Sequence, residues 1–177
     1  MGLMQFFSRR KAQKRSPQVS APTSSQRLRH ELLDAAKAGI LGVLGPQLAL
    51  LGMEWGGVPL DEDDVGRRSC GYVLGMVQGV LSEFAELQPS QDEFVYLLAT
   101  GFAAVHGPGD GQVGLQTIYL QELGEQHVLE GAKLAARDVR AVYSGEAFAM
   151  PNGLFLIHNG DAAALDYNLA VMATQEC

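Results

Sequence analysis

Cysteine is scarce in this chain, with two residues, Cys70 and Cys177, among 177. Secreted domains that are held together by disulfides need a much denser cysteine framework. The sequence therefore predicts a protein of a reducing compartment. Cys70 lies in an apolar helical stretch and is predicted to be a small core residue, whereas Cys177 is predicted to be an exposed thiol.

A hydrophobic run long enough to cross a bilayer is also lacking. The longest, Ala38–Met53, has 16 residues and contains Pro46 and Gln47, while a transmembrane helix needs about 20 apolar residues. In a secretory signal the charged residues precede the apolar segment. Here the order is reversed, because Met1–Phe7 comes before Arg9–Arg15. The sequence predicts neither a membrane span nor a secretory signal.

Basic residues are missing from the middle of the chain. No Lys or Arg occurs between Arg68 and Lys133, a stretch with eight acidic residues. Residues 1–30 contain seven basic residues and no acidic one, whereas the remainder holds the other 6 basic and all 20 acidic residues. Binding to a phosphate backbone requires Lys and Arg. Nucleic acid is therefore not expected as a partner of the acidic body.

The first fifteen residues combine apolar and basic side chains. They are Leu3, Met4, Phe6 and Phe7, followed by Arg9, Arg10, Lys11, Lys14 and Arg15. Leu3, Met4 and Phe7 would share one helical face, which is typical of an interfacial helix on an anionic leaflet. Two other interpretations remain open, namely an organellar import signal within residues 1–30 and a basic tail without a target. We predict a cytoplasmic protein that is peripheral to a membrane, with organellar import as the alternative.

The rest of the chain predicts a mainly α fold. With 47% hydrophobic and 19% charged residues, it fits one compact helical domain over residues 26–177, preceded by a flexible basic tail over residues 1–25. Apolar periodicity and breakers predict about four to five helices. Phe148–Ile157, with Pro151–Gly153 as a turn, predicts a small β-hairpin near the carboxyl end.

Several helix boundaries follow from local signals. Pro46 is expected to kink or end the first helix, since its ring clashes with the carbonyl four residues before it. Asp61–Asp64 is expected to begin the next helix, and Ser90 with Glu93 matches a capping box for the third. A long helical stretch is predicted from Val113 to Tyr143.

Three glycines are spaced four residues apart along the second predicted helix: Gly71, Gly75 and Gly79. Such a row allows a second helix backbone to approach closely. We predict a helix–helix interface there, either inside the domain or between two copies of the chain.

Motifs that carry chemistry are few. Gly109–Gly114 matches the G-x-G-x-x-G pattern of dinucleotide sites, but no alternation of strands and helices accompanies it. The acidic run Asp61–Asp64 lacks the further ligands of a calcium loop. No catalytic residue, cofactor or metal site is predicted.

Two functions from different classes remain. The first is a non-catalytic helical interaction or adaptor protein that binds a protein partner or itself, with residues 1–15 on an anionic membrane surface. The second is a small-molecule-binding enzyme whose site gathers four side chains from the 106–114 glycine loop and the 158–161 turn: His106, Asp110, His158 and Asp161.

Overall fold

A computed structural model describes residues 23–109, 112–145 and 150–160 of the protein. These residues form six α-helices and, within the described ranges, no strand. The helices are α1 Ser24–Leu51, α2 Asp64–Glu83, α3 Gln91–His106, α4 Gln112–Glu122, α5 Gln126–Tyr143 and α6 Gly153–Asn159. The mainly α prediction is confirmed, with one helix more than the predicted range. None of the described helices is both long and apolar enough to cross a membrane.

Helix α1 continues through Pro46 to Leu51, so the alternative that the helix ends at Pro46 is wrong. Its amino end is closed by a capping box between Thr23 and Gln26. Proline removes one backbone hydrogen bond and costs about 3 kcal/mol inside a helix. Core residues on both sides of Pro46, among them Val43 and Leu48, are buried. This burial stabilises the helix on both sides of Pro46.

Helix α2 is the central element, and its glycine row lies against α5. A Cβ atom on Gly71 would stand 2.1 Å from the carbonyl oxygen of Val128, and one on Gly75 would stand 2.6 Å from the Cα atom of Ala132. At Gly79 the neighbour is the side chain of Val139. These positions therefore form a contact between two helices of the same chain, in which the backbones touch.

The predicted helical stretch from Val113 to Tyr143 is two helices. Gly124, at φ +75°, separates α4 from α5. Left-handed backbone of this kind favours glycine and ends a helix. The short loop allows α5 to pack along α2.

The predicted carboxyl-terminal hairpin is wrong for the residues that the structure describes. Gly153–Asn159 forms α6, and Phe148 and Ala149 of the proposed first strand lie outside the described residues. The first turn of α6 is capped by distant side chains, since Asp138 accepts from the Gly153 N–H (2.7 Å) and Gln47 accepts from the Leu154 N–H (2.8 Å). A helix amino end needs such acceptors, and here tertiary structure supplies them.

The core lies between α2 and the helices around it. Tyr72, Leu74 and Met76 of α2 are fully buried. Cys70 is buried as well, which raises the pKa of its thiol to about 11. This placement agrees with a small core residue. Cys177, like residues 1–22 of the predicted basic tail, lies outside the described residues.

Candidate functional site

The four side chains of the predicted ligand site are only partly described. His106 is the last residue of α3, and His158 lies in α6. Asp110 and Asp161 lie outside the described residues. The same holds for all the predicted membrane-contact residues: Leu3, Met4, Phe6, Phe7, Arg9, Arg10, Lys11, Lys14 and Arg15.

His106 is held by two hydrogen bonds. Its Nδ1 donates to the carbonyl oxygen of Val58 (3.1 Å), and its Nε2 lies 3.2 Å from the Oγ of Ser69. Because a carbonyl only accepts, Nδ1 carries the proton, and Nε2 of the neutral ring accepts from the Ser69 hydroxyl. Burial, together with the nearby His158, lowers the pKa of His106. Both ring nitrogens are thus engaged by the protein in the neutral state.

A serine and a histidine at hydrogen-bonding distance resemble the start of a nucleophilic site. Ser69, however, is fully buried within α2. Its hydroxyl therefore has no route to a substrate in this conformation. The pair instead connects α2, the end of α3 and the loop that contains Val58.

His158 lies near the same end of the molecule. Its Nε2 is buried and has no hydrogen-bond partner among the described residues. Burial lowers the pKa of His158, while the charges of Asp63 and Asp61 act in the opposite direction. His106 and His158 are therefore electrostatic neighbours, each kept neutral mainly by burial.

A cavity of about 270 Å³ lies between α3, α4 and the connection between them. Its wall is mainly apolar and includes Leu98 and Phe102 of α3 and Leu115 of α4, with His106 at one end. The glycine loop contributes Gly107 and Gly109. A pocket of this composition accommodates apolar groups and offers little for orienting a polar substrate.

The G-x-G-x-x-G match has a packing role at its last glycine. A Cβ atom on Gly114 would stand 3.0 Å from the Cδ2 of Leu98 and 3.6 Å from the Cδ2 of Phe102. Gly114 therefore lets α4 pack closely on α3. The motif follows a helix, whereas a dinucleotide site places it directly after a strand.

Helix α4 carries an exposed apolar row that the sequence analysis missed. Leu115, Tyr119 and Leu123 are 53%, 60% and 63% exposed. Leu123 follows the last residue of α4, and its N–H donates to the carbonyl of Tyr119 (3.0 Å), so the spacing of four residues places the three side chains on one face. That spacing is visible in the sequence, but a regular apolar pattern usually marks a core face, and only the structure shows that this one faces solvent.

The row on α4 adjoins the cavity through Leu115. We name the combined area the α3–α4 surface and define it by its apolar members: Val95, Ala99, Phe102, Leu115, Tyr119 and Leu123. Neither α3 nor α4 contains a Lys or Arg, while Asp92, Glu93 and Glu122 lie on them. The charged residues of the two helices are therefore acidic, although Glu93 is paired with Arg29 of α1 and Lys37 of α1 contacts Tyr96 of α3.

A buried polar network anchors α6 and was also missed by the sequence analysis. The Tyr72 hydroxyl donates to Asp138 Oδ2 (2.7 Å), and the Gln47 amide donates to the Tyr72 hydroxyl (2.5 Å). Arg137 donates to the other carboxylate oxygen of Asp138. Burial and the charge of Asp138 raise the pKa of Tyr72 well above its ordinary value. Every member has a partner, which is typical of a network that holds structure.

No group of three or more His, Cys, Asp or Glu residues that could hold a metal ion occurs in the described part of the chain. Comparison of the chain with protein-family models, with curated proteins and with solved structures gives no match.

Proposed function

We propose that this chain is a non-catalytic helical interaction protein. Its α3–α4 surface binds an amphipathic helix of a partner protein, and residues 1–15 bring it to an anionic membrane surface. The observation that carries the proposal is the exposed row Leu115, Tyr119 and Leu123 beside an apolar cavity.

The apolar content of the surface supports a helical partner. Grooves between two helices commonly receive an amphipathic helix through side chains at spacings of three and four residues. Fully burying a Leu side chain contributes about 1.5–3 kcal/mol. The row and the cavity provide several such positions, and exposed apolar groups of this kind mark interaction sites in many proteins.

The charge of the surface indicates which kind of partner helix it binds. Helices α3 and α4 contribute Asp92 and Glu122 and no Lys or Arg, while the third acid, Glu93, is already paired with Arg29 of α1 and Lys37 of α1 contacts Tyr96. Charge complementarity speeds association and excludes like-charged partners. The expected partner helix therefore has basic residues beside its apolar face.

A set of synthetic helical peptides tests this proposal. The peptides share one apolar face and differ only in net charge: basic, neutral or acidic. We expect fluorescence anisotropy to show binding of the full chain to the basic peptide, with the acidic peptide at least about tenfold weaker, which corresponds to about 1.4 kcal/mol. The affinities should converge as salt is added, because screening weakens interactions between exposed charges.

Matched variants locate the binding surface. Replacing Leu115 and Leu123 by Ser should abolish peptide binding. Replacing Leu28, which is 54% exposed on α1, by Ser should leave it unchanged. Binding that is independent of peptide charge, or that survives the α4 substitutions, would contradict the proposal.

Membrane attachment is tested by co-sedimentation with anionic and neutral vesicles. We expect the full chain to bind only the anionic ones, and the variant Arg9→Gln/Arg10→Gln/Lys11→Gln to lose binding. The control variant Arg27→Gln/Lys133→Gln/Arg140→Gln removes the same charge elsewhere and should retain binding. Equal loss in both variants would argue against a specific role for residues 1–15.

The cavity supports a second candidate function, the binding of a small apolar molecule. Gly107, Pro108 and Gly109 line part of the cavity, and this lining supports the small-molecule alternative. Replacing Ala103, which lines the cavity and is not a member of the α3–α4 surface, by Leu would fill the cavity and leave the α4 row in place. If this variant no longer binds an apolar fluorescent probe but still binds the peptide, the binding of a small molecule is distinguished from the binding of a partner helix.

A further inference from the structure

We propose that residues 3–15 of the chain itself bind to the α3–α4 surface. This inference rests on the proposed function of that surface and names its first occupant. The segment that is predicted to bind membranes would then compete with the partner helix for the same site. Membrane binding would remove the segment and open the surface.

The chemistry of the two parts is complementary. The segment has an apolar block that contains Leu3, Phe6 and Phe7, followed directly by five basic residues and no acidic one. The α3–α4 surface is apolar, and its helices carry the acidic residues Asp92 and Glu122 in addition to Glu93, which is paired with Arg29. No Lys or Arg occurs anywhere between Arg68 and Lys133. The segment therefore has the chemistry that was derived above for a partner helix, and it belongs to the same molecule.

The chain is long enough to make this contact. Arg29 of α1 forms an ion pair with Glu93 near the start of α3, so Thr23 lies about 9 Å of helix away from that point. The surface begins at Val95, two residues beyond Glu93. Residues 16–22, which would link the bound segment to Thr23, span up to about 25 Å when extended. A segment tethered at this distance has an effective concentration in the millimolar range, so even weak complementarity would populate the bound state.

Energy transfer in the full chain tests the contact. Trp55 is the single tryptophan, and it precedes Gly56, whose N–H donates to the carbonyl of Ala104 on α3. A fluorescent acceptor is attached at position 5 after Gln5→Cys, with Cys177→Ser removing the carboxyl-terminal thiol. Cys70 is buried. The Cys177→Ser protein without Gln5→Cys is labelled in parallel, so that any reaction of the dye with Cys70 is measured. We expect energy transfer from Trp55 to the acceptor at position 5. Its efficiency should not change with protein concentration and should fall when anionic vesicles are added.

Substitutions on both sides identify the contact. Phe6→Ser/Phe7→Ser should lower the transfer, and so should Leu115→Ser/Leu123→Ser, while Leu28→Ser should leave it unchanged. Absence of transfer, or transfer that neither pair of substitutions lowers, would overturn the inference. Transfer that rises with protein concentration would also overturn it, because the segment would then bind a second copy.

Peptide binding separates this inference from the proposed function. If the segment occupies the surface, the basic peptide should bind the Phe6→Ser/Phe7→Ser variant about tenfold more tightly than the unchanged chain, since a competing occupant reduces apparent affinity. Equal affinities would leave the proposed function standing and overturn the inference. Transfer without peptide binding to any variant would support the intramolecular contact and contradict the binding of a partner.

Discussion

Arg29 of α1 and Glu93 of α3 form a two-pronged ion pair, with Arg29 Nε 2.7 Å from Glu93 Oε1 and a second guanidinium nitrogen on Oε2. Arg29 also donates to the carbonyl oxygen of Gln88 (3.1 Å). The pair fixes the beginning of α1 beside the beginning of α3. It thereby places Thr23, the N-cap of α1, about 9 Å of helix from the start of α3.

The first prediction concerns this pair. Hydrogen bonds from Arg29 and Ser90 lower the pKa of Glu93 to about 2. Stability that depends on ionised Glu93 is therefore present above its unfolded pKa of 4.5 and is lost as the pH falls toward about 2. We expect Arg29→Gln to flatten the pH dependence of unfolding in this window. Arg27→Gln is the control, and denaturation followed by circular dichroism provides the measurement. An unchanged pH profile would contradict the assignment.

The second prediction concerns the contact between α2 and α5. Gly71→Ala would force a Cβ atom against the backbone of Val128, and overpacking of this kind costs about 3 kcal/mol. Gly42→Ala on α1 is the matched control, because a Cβ atom there meets nothing within 4 Å. We expect Gly42→Ala to raise the free energy of unfolding by about 0.5–1 kcal/mol, since Ala is the better helix former. Urea denaturation of both variants checks the prediction, and similar effects of the two would refute it.

The third prediction concerns the buried histidines. The pKa values of His106 and His158 are both lowered, mainly by burial, from 6.5. The unfolded chain therefore takes up protons at a higher pH than the folded chain does. Stability is complete above about pH 6.5 and decreases as the pH falls below it toward the folded pKa values.

The free energy of unfolding measured between about pH 7.5 and pH 5 should show this loss. His158→Gln should reduce the slope, because it removes one of the two titrating groups. His30 is exposed on α1, so His30→Gln is the control and should retain the slope. Stability that rises on acidification would contradict the burial of the two rings.

The fourth prediction concerns the network that anchors α6. Asp138→Asn would place an amide where Asp138 now accepts four hydrogen bonds. Leaving such buried donors unpaired costs about 3 kcal/mol. Tyr72→Phe removes a single hydroxyl and should cost about 1 kcal/mol. Hydrogen exchange of the Gly153 and Leu154 amides should accelerate in Asp138→Asn before the rest of the protein unfolds. Exchange that remains as slow as in the unchanged chain would show that α6 does not depend on this network.

Local sequence signals determined several helix ends because the groups that make them are close along the chain. The capping box of Ser90 and Glu93 was predicted from spacing and is present at the start of α3. Asp63 caps α2 within the predicted acidic start, through the Gly66 N–H (2.8 Å). In each case the donor and the acceptor are three residues apart, so a short window contains the whole interaction.

Less of the candidate site could be predicted from the sequence. The sequence predicted His106 as part of a glycine loop that could contribute to a ligand site, whereas the structure places it as the last residue of α3. The exposure of Leu115, Tyr119 and Leu123 was not predicted, because the same spacing serves a buried face and an exposed one. Which face of α4 meets solvent depends on Gly114, which packs that helix against Leu98 of α3.

By itself, the sequence determined the helical class, the separation of charge and the local caps, since these depend on composition and on neighbours a few residues apart. Tertiary structure alone decided the course of α1 through Pro46 and the nature of residues 153–159. Pro46 is tolerated because core contacts on both sides outweigh one lost hydrogen bond. Pro151–Gly153 reads locally as a hairpin turn, yet it starts a helix because Gln47, 107 residues from Leu154, supplies an acceptor. No local window contains that acceptor, so only the assembled fold could place it.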